Sequence, residues 1–221
     1  MVRVYLVRHA EAFGNINEVF QGHIDTEVTE KGYHQLNALS ERFKNINLDS
    51  IYTSPLIRAR VTAEYINKNF GYELKFNDGL IEINGGQFEG KPWSELPKLF
   101  PKQYDNWKNH TEKFEAPDGE TMNQVYNRMV ETMKEICSEN KEKTIAVVSH
   151  GCAVKNFLCF CLGKTNAYMN ELGWSDNTAV SLIEFDEKFN PKVIYMNDSS
   201  HLSAEDSTLN SSKWWRDDEK A

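Results

Sequence analysis

Val2-Arg3-Val4-Tyr5-Leu6-Val7-Arg8-His9 opens the chain with an apolar, β-branched run that stops abruptly on a cation and an imidazole. Such a run reads as a strand covered on both faces, the type found inside a parallel sheet. In an open α/β sheet, ligands bind beyond the carboxyl ends of the strands, so Arg8 and His9 are delivered to the expected site. Thr144-Ile145-Ala146-Val147-Val148-Ser149-His150-Gly151 repeats the device. Two histidines are thereby expected to meet at one sheet edge.

The 221 residues suit one large α/β domain. No apolar run approaches the ~20 residues needed to cross a bilayer, and the first strand begins without a basic-then-apolar leader, so the chain reads as soluble and cytosolic. The formal charge of −8 argues against a nucleic-acid or acidic-membrane surface. Cys137, Cys152, Cys159 and Cys161 lie on apolar helical faces without paired metal-site spacing, which favours reduced core thiols over disulfides or zinc ligands.

Between the two strands, Ala10 to Val28 lacks periodicity and reads as a long functional loop containing Gly14, Asn15, Gln21, Gly22 and His23. Thr29 can cap a helix to about Lys44, with Leu36, Leu39 and Phe43 at core spacing. Leu48 to Thr53 is a short strand. Ser54-Pro55 reads as a cap and first helical residue, placing Arg58 within a turn of a helix amino terminus. A third short strand is expected over Glu73 to Phe76. The glycine-dense stretch 79–90 then carries Glu82 between Ile81 and Ile83, apolar neighbours that favour the protonated acid. Residues 93–118 read as short helices forming a lid or insertion. Glu120 to about Glu139 is an amphipathic helix with Val125, Met129, Met133 and Ile136 inward. After His150 come an apolar helix over about Ala153 to Leu162 and two strands, Thr178 to Phe185 and Lys192 to Tyr195, expected as an edge hairpin. The residues from about 200 to 221 read as a polar, loosely attached tail. Its Trp214-Trp215 pair either buries against a second copy in a homodimer or folds back on its own domain.

Arg8, His9, Arg58 and His150, brought together, form a cationic pocket with an imidazole nucleophile and donors for a tetrahedral anion. Phosphoryl transfer needs those groups and an acid for the leaving oxygen, a role that suits Glu82. No metal or cofactor is called for, because Arg8 and Arg58 would repel a divalent cation. The ordered set Arg8-His9-Ala10-Glu11, Asn15, Phe20-Gln21-Gly22, Ser54-Pro55-Leu56-Ile57-Arg58-Ala59, Glu82 and Ser149-His150-Gly151 resembles the histidine phosphatase superfamily, also called phosphoglycerate-mutase-like.

The resemblance spans roughly residues 2 to 186. It implies a three-layer αβα sandwich with a mostly parallel sheet, His9 as the phosphorylated nucleophile and Glu82 as proton donor. Arg8, Arg58 and His150 would complete the phosphate pocket, with Asn15, Gln21, Gly22 and Gly151 assisting, and a small phosphorylated molecule as substrate. Ala10 and Ala12 depart from the usual Arg-His-Gly-Glu-Thr; Ala10 asks for a backbone compatible with a Cβ, and Ala12 removes a hydroxyl from the pocket's neighbourhood. The mutase branch typically carries Gly-Leu-Asn-Lys and a downstream arginine pair, where this chain has Gly90-Lys91-Pro92-Trp93 and Trp107-Lys108-Asn109-His110. A phosphomonoesterase is therefore expected ahead of a phosphoglycerate mutase, and both ahead of a binding module whose catalysis has lapsed.

Overall fold

In the computed structural model, which describes residues 1–211, the opening run forms strand β1 (Val2–Arg8), its side chains alternating between two apolar layers. Val4 and Leu6 join one core cluster, Tyr5 and Val7 the other. A strand covered on both faces must lie inside a sheet, and β1 does. In chain order there follow α1 (Phe13–Ile16), α2 (Glu30–Phe43), β2 (Ser50–Thr53), α3 (Ile57–Asn67), β3 (Lys75–Phe76), α4 (Leu96–Leu99) and α5 (Pro101–Asn109). The remainder is α6 (Met122–Glu139), β4 (Thr144–Ser149), α7 (Gly151–Cys161), β5 (Val180–Phe185), β6 (Pro191–Asp198) and α8 (Thr208–Ser211).

The sheet order is β3-β2-β4-β1-β5-β6. The first four strands are mutually parallel, β5 runs antiparallel to β1, and β6 closes the edge as the expected hairpin partner of β5. Leu39 and Phe43 of α2 and Ala59, Ala63 and Ile66 of α3 cover one face; Val125, Met129, Met133 and Ile136 of α6 and Phe157 of α7 cover the other. The result is the αβα sandwich that the sequence implied.

Register does the functional work. In the β1·β4 ladder Arg8 pairs with Ser149, and the His9 amide continues it by donating to the Ser149 carbonyl at 3.0 Å. His9 and His150 therefore leave the sheet side by side, one residue past the last pair. Thr29 caps α2 by accepting from the Gly32 amide at 2.9 Å, an arrangement that stabilises such a helix by about 1 kcal/mol. The start of α3 differs from the sequence reading. The helix begins at Ile57, two residues after Pro55, and Asp25 rather than Ser54 accepts from its first amide at 2.7 Å. Residues 206–209 also differ from a loose tail. Asp176 accepts from the Ser207 hydroxyl at 2.7 Å and the Leu209 amide at 3.1 Å, while Thr208 donates to Glu11 at 3.2 Å. Trp214-Trp215 lies outside the described residues.

Candidate active site

An open cleft of about 520 Å³ lies beyond the carboxyl ends of β1 and β4. Arg8, His9, Asn15, Gln21, Gly22 and Arg58 line it, and Glu82 and Gly151 complete its floor and wall. His150 is not a wall residue. It is fully buried behind His9, the two rings 5.1 Å apart.

The His9 ring is oriented by the backbone of the next residue. Its Nδ1 lies 2.7 Å from the Ala10 carbonyl, which can only accept, so Nδ1 carries the proton and Nε2 keeps its lone pair. Burial, then the charges of Arg58 and Arg8, hold this imidazole well below its usual titration range. Burial, then Arg58 and His9, does the same to His150, whose Nε2 lies 2.7 Å from the Ser54 hydroxyl. Both rings are accordingly neutral near pH 7, and the pocket's positive charge comes from the arginines rather than from all four side chains.

Both guanidiniums are buried and held by carbonyls. Arg58 donates to Ile24 at 2.9 Å and Gly22 at 2.8 Å; Arg8 donates to Ser175. Burial lowers the Arg58 pKa to about 10, with Glu82 and Asp25 opposing, and it remains a cation at neutral pH. The Nε atoms of Arg8 and Arg58 are buried with no hydrogen-bond partner. Leaving a charged donor unsatisfied costs about 1–3 kcal/mol or more, which an oxyanion bound beside them would recover. Gly22 serves this geometry in a way no other residue could. Its φ is +53°, and a Cβ there would sit 2.1 Å from the Glu89 Oε1.

Glu82 meets donors, not the hydrocarbon expected from its isoleucine neighbours. Its Oε1 accepts from the Ile83 and Ala153 amides, each at 3.0 Å, and its Oε2 from Cys152 at 3.1 Å. Two of those amides belong to the first turn of α7, whose dipole favours an acidic partner. Arg128 of α6 steadies the same loop from below, donating to the Gly79 and Ile81 carbonyls at 3.0 and 2.8 Å. The rival carboxylates point elsewhere. Glu11 accepts from Thr29 and Thr208, while Glu89 accepts from the His23 and Gly85 amides. Asn15 accepts from the Ala12 amide at 3.0 Å, and Gln21 packs over Gly14. Ala10 fits without strain, buried with Val28 and Leu36, and Ala12 does not line the cleft, so no pocket hydroxyl is lost there.

Sequence reasoning missed the residues that clamp the end of β1. Asn177 donates to the His9 carbonyl at 2.9 Å, and the Thr178 amide donates to the carbonyls of Arg8 and His9 at 3.1 and 3.3 Å. Thr178 holds a φ of +59° although it is β-branched and fully buried, a costly conformation for such a residue. The turn-forming Asp176-Asn177 pair just ahead of β5 was the available signal.

Two neutral imidazoles, two buried guanidiniums and one facing carboxyl define a site for moving a phosphoryl group. The comparisons agree. The family model described as histidine phosphatase superfamily (branch 1) matches residues 4–199, and the chain belongs to that family. It is 32% identical over 202 residues to phosphoserine phosphatase 1 of Hydrogenobacter thermophilus, covering 91% of this chain and 95% of that one. Among solved structures, Bacillus stearothermophilus YhfR superposes with a TM-score of 0.87 at 27% identity, covering 91% of this chain and 99% of that one. A phosphoserine phosphatase mutant from Entamoeba histolytica in complex with phosphoserine gives 0.82 at 27% identity, covering 92% and 100%. No helix among the described residues is long and apolar enough to cross a membrane.

Proposed function

We propose that this protein is a phosphomonoesterase that hydrolyses small phosphorylated metabolites through a phosphohistidine at His9. The observation that carries the reading is the His9 ring itself, fixed by the Ala10 carbonyl so that a neutral Nε2 is left free between two buried arginines. In the first step Nε2 attacks phosphorus, the N–P bond forms and the P–O ester bond breaks. Arg8 and Arg58 offset the charge on the equatorial oxygens, and Glu82 gives its proton to the departing alcohol. In the second, water attacks the phosphohistidine while Glu82 takes its proton, and inorganic phosphate leaves. His150, neutral and bonded to Ser54, packs behind His9 and supports its ring rather than the phosphate. Asn15, Gln21, Gly22 and Gly151 shape the rest of the phosphate cradle.

Hydrolysis is favoured over isomerisation by the cations of the cleft. Among the described residues that line it, only Arg8 and Arg58 are basic, and both serve the first phosphate. A mutase needs a grip on a second one. No metal is assigned to the reaction, since the two guanidiniums would repel a divalent cation. The four buried thiols, none of them in a disulfide, suit the reducing cytoplasm. A homodimer is compatible with this chemistry.

The test is hydrolysis of a generic aryl phosphate without added metal, by the wild-type protein and by His9→Ala. Turnover that disappears in a folded variant supports the assignment. Turnover at the wild-type rate removes His9 as nucleophile.

A further inference from the structure

We infer that His201, held by Arg42, is a positioning residue for the chemistry at His9, fixing the turn that clamps the end of β1. The role rests on the phosphomonoesterase reading and adds to it a residue that stands outside the cleft.

The contact begins with a chain reversal at the edge of the sheet. β6 ends at Asp198, which pairs with Val180 of β5, and the Asp198 Oδ1 accepts from the Ser200 amide at 2.9 Å. A short carboxylate that bonds the backbone two residues on is a common way to turn a chain. The turn brings His201 back onto Thr178, just ahead of β5, whose amide donates to the Arg8 and His9 carbonyls.

The partners fix every proton along this contact. Arg42 of α2 meets the His201 Nδ1 at 3.2 Å, and because a guanidinium only donates, Nδ1 is the bare nitrogen. Nε2 therefore carries the hydrogen and gives it to the Thr178 hydroxyl at 3.1 Å. That hydroxyl donates onward to the Asn177 carbonyl at 2.7 Å, and the Asn177 side chain donates to the His9 carbonyl at 2.9 Å. Arg42 has anchors of its own, donating to the Asp198 Oδ2 at 2.8 Å and to the Asp198 carbonyl and the Tyr195 hydroxyl, each at 3.1 Å. A directional chain of bonds thus runs from α2 and β6 to the backbone of the nucleophile, and bonds aligned in this way strengthen one another.

Thr178 needs such support. It is β-branched, fully buried and left-handed at a φ of +59°, a conformation that persists only where the surroundings over-determine it. Burial, then Arg42, lowers the His201 pKa to about 4, with Asp198 and Asp176 opposing, so the ring is neutral at pH 7 and leaves Nδ1 bare for Arg42. His201 is absent from the described residues that line the cleft, so it acts through Thr178 and not on the substrate.

The test measures kcat and KM for p-nitrophenyl phosphate in His201→Gln, His201→Asn and His201→Leu. A Gln amide N–H reaches about as far as Nε2 and can bond Thr178, an Asn side chain reaches only as far as Nδ1 and meets Arg42, and Leu does neither. We expect His201→Gln to stay within about twofold of the wild-type kcat, while Asn and Leu lower it at least about fivefold with KM changed by less than about twofold, the mark of a slightly misplaced reacting group. Wild-type kcat in all three overturns the inference. So does an equal fall in all three, or a rise in KM that matches the fall in kcat, since either marks plain packing. Arg42 keeps Asp198 and Tyr195 in every variant, and the Gln and Asn pair decides if His201→Leu does not fold. Thr178→Val, which removes the hydroxyl at nearly constant shape, should lower kcat similarly, and adding His201→Leu to it should lower kcat by less than about a further twofold. Full multiplication of the two losses overturns the chain, and the His201 series decides alone if Thr178→Val does not fold. A wild-type protein that hydrolyses no phosphate ester would remove the phosphatase reading itself, an outcome distinct from any ratio between variants.

Discussion

Asn177 hydrogen-bonds the backbone carbonyl of His9 at 2.9 Å, tying the end of β1 to the turn that starts β5. The bond acts on the position of the imidazole and leaves the guanidiniums their own anchors on Ser175, Ile24 and Gly22. Asn177→Ala should therefore lower kcat by roughly tenfold or more, the scale of a sub-ångström misplacement, with little change in KM. Steady-state kinetics beside a thermal melt checks this. An equal loss of phosphate affinity would mean that the turn supports the whole pocket.

Gly22 offers a sharper steric test. Gly22→Ala forces a Cβ onto a left-handed backbone and into the Glu89 carboxylate, and it disturbs the carbonyl that holds Arg58. Strain of this kind costs about 1–3 kcal/mol. The variant should melt several degrees lower and bind vanadate or phosphate more weakly, as read by calorimetry and competitive inhibition.

Glu82→Gln keeps an acceptor for one of the two α7 amides, sets an NH2 against the other, and cannot give a proton. Hydrolysis of alkyl phosphates, whose alcohols leave poorly, should fall by about 100-fold or more, whereas p-nitrophenyl phosphate should lose much less. The ratio of the two rates measures the acid's contribution. A uniform loss on both esters would assign Glu82 a purely positional role.

The buried histidines make stability fall in acid. Burial lowers His9 and His150 well below the usual imidazole range, and burial, then Arg42, lowers His201 to about 4. A histidine whose folded pKa is depressed binds a proton more readily when unfolded, so unfolding takes up protons and stability declines as pH falls below about 6.5. For His201 the decline runs from there toward pH 4. Denaturant midpoints across that window should drop steadily, and His201→Asn should flatten the slope. The same shift keeps Nε2 of His9 unprotonated in mild acid, so the acid limb of kcat/KM should lie below pH 6.5.

Much of this site was legible because it sits where periodic segments stop. The apolar alternation of Val2–Arg8 and Thr144–Ser149 announces two buried strands, and their shared register sets His9 beside His150. Thr29 declares its helix by side-chain chemistry alone. Contacts between distant, individually ordinary residues were hidden. Ser54-Pro55 has the form of a helix cap, yet Ser54 spends its hydroxyl on His150, a partner 96 positions away. Two of the three donors around Glu82 come from the first turn of a helix some 70 positions on, so the side chains of its isoleucine neighbours misdescribe its surroundings. The left-handed Thr178 breaks the rule for β-branched residues, and a conformation that only tertiary contacts sustain leaves no trace in a propensity.

The most direct examination of the central claim is to trap the enzyme during turnover. Mixing it with a phosphate-labelled ester, quenching in base and mapping the label by mass spectrometry should place an acid-labile, base-stable phosphoryl group on His9, and none in His9→Ala. A label on any other residue, or steady hydrolysis with no labelled protein and full activity in His9→Ala, would contradict it.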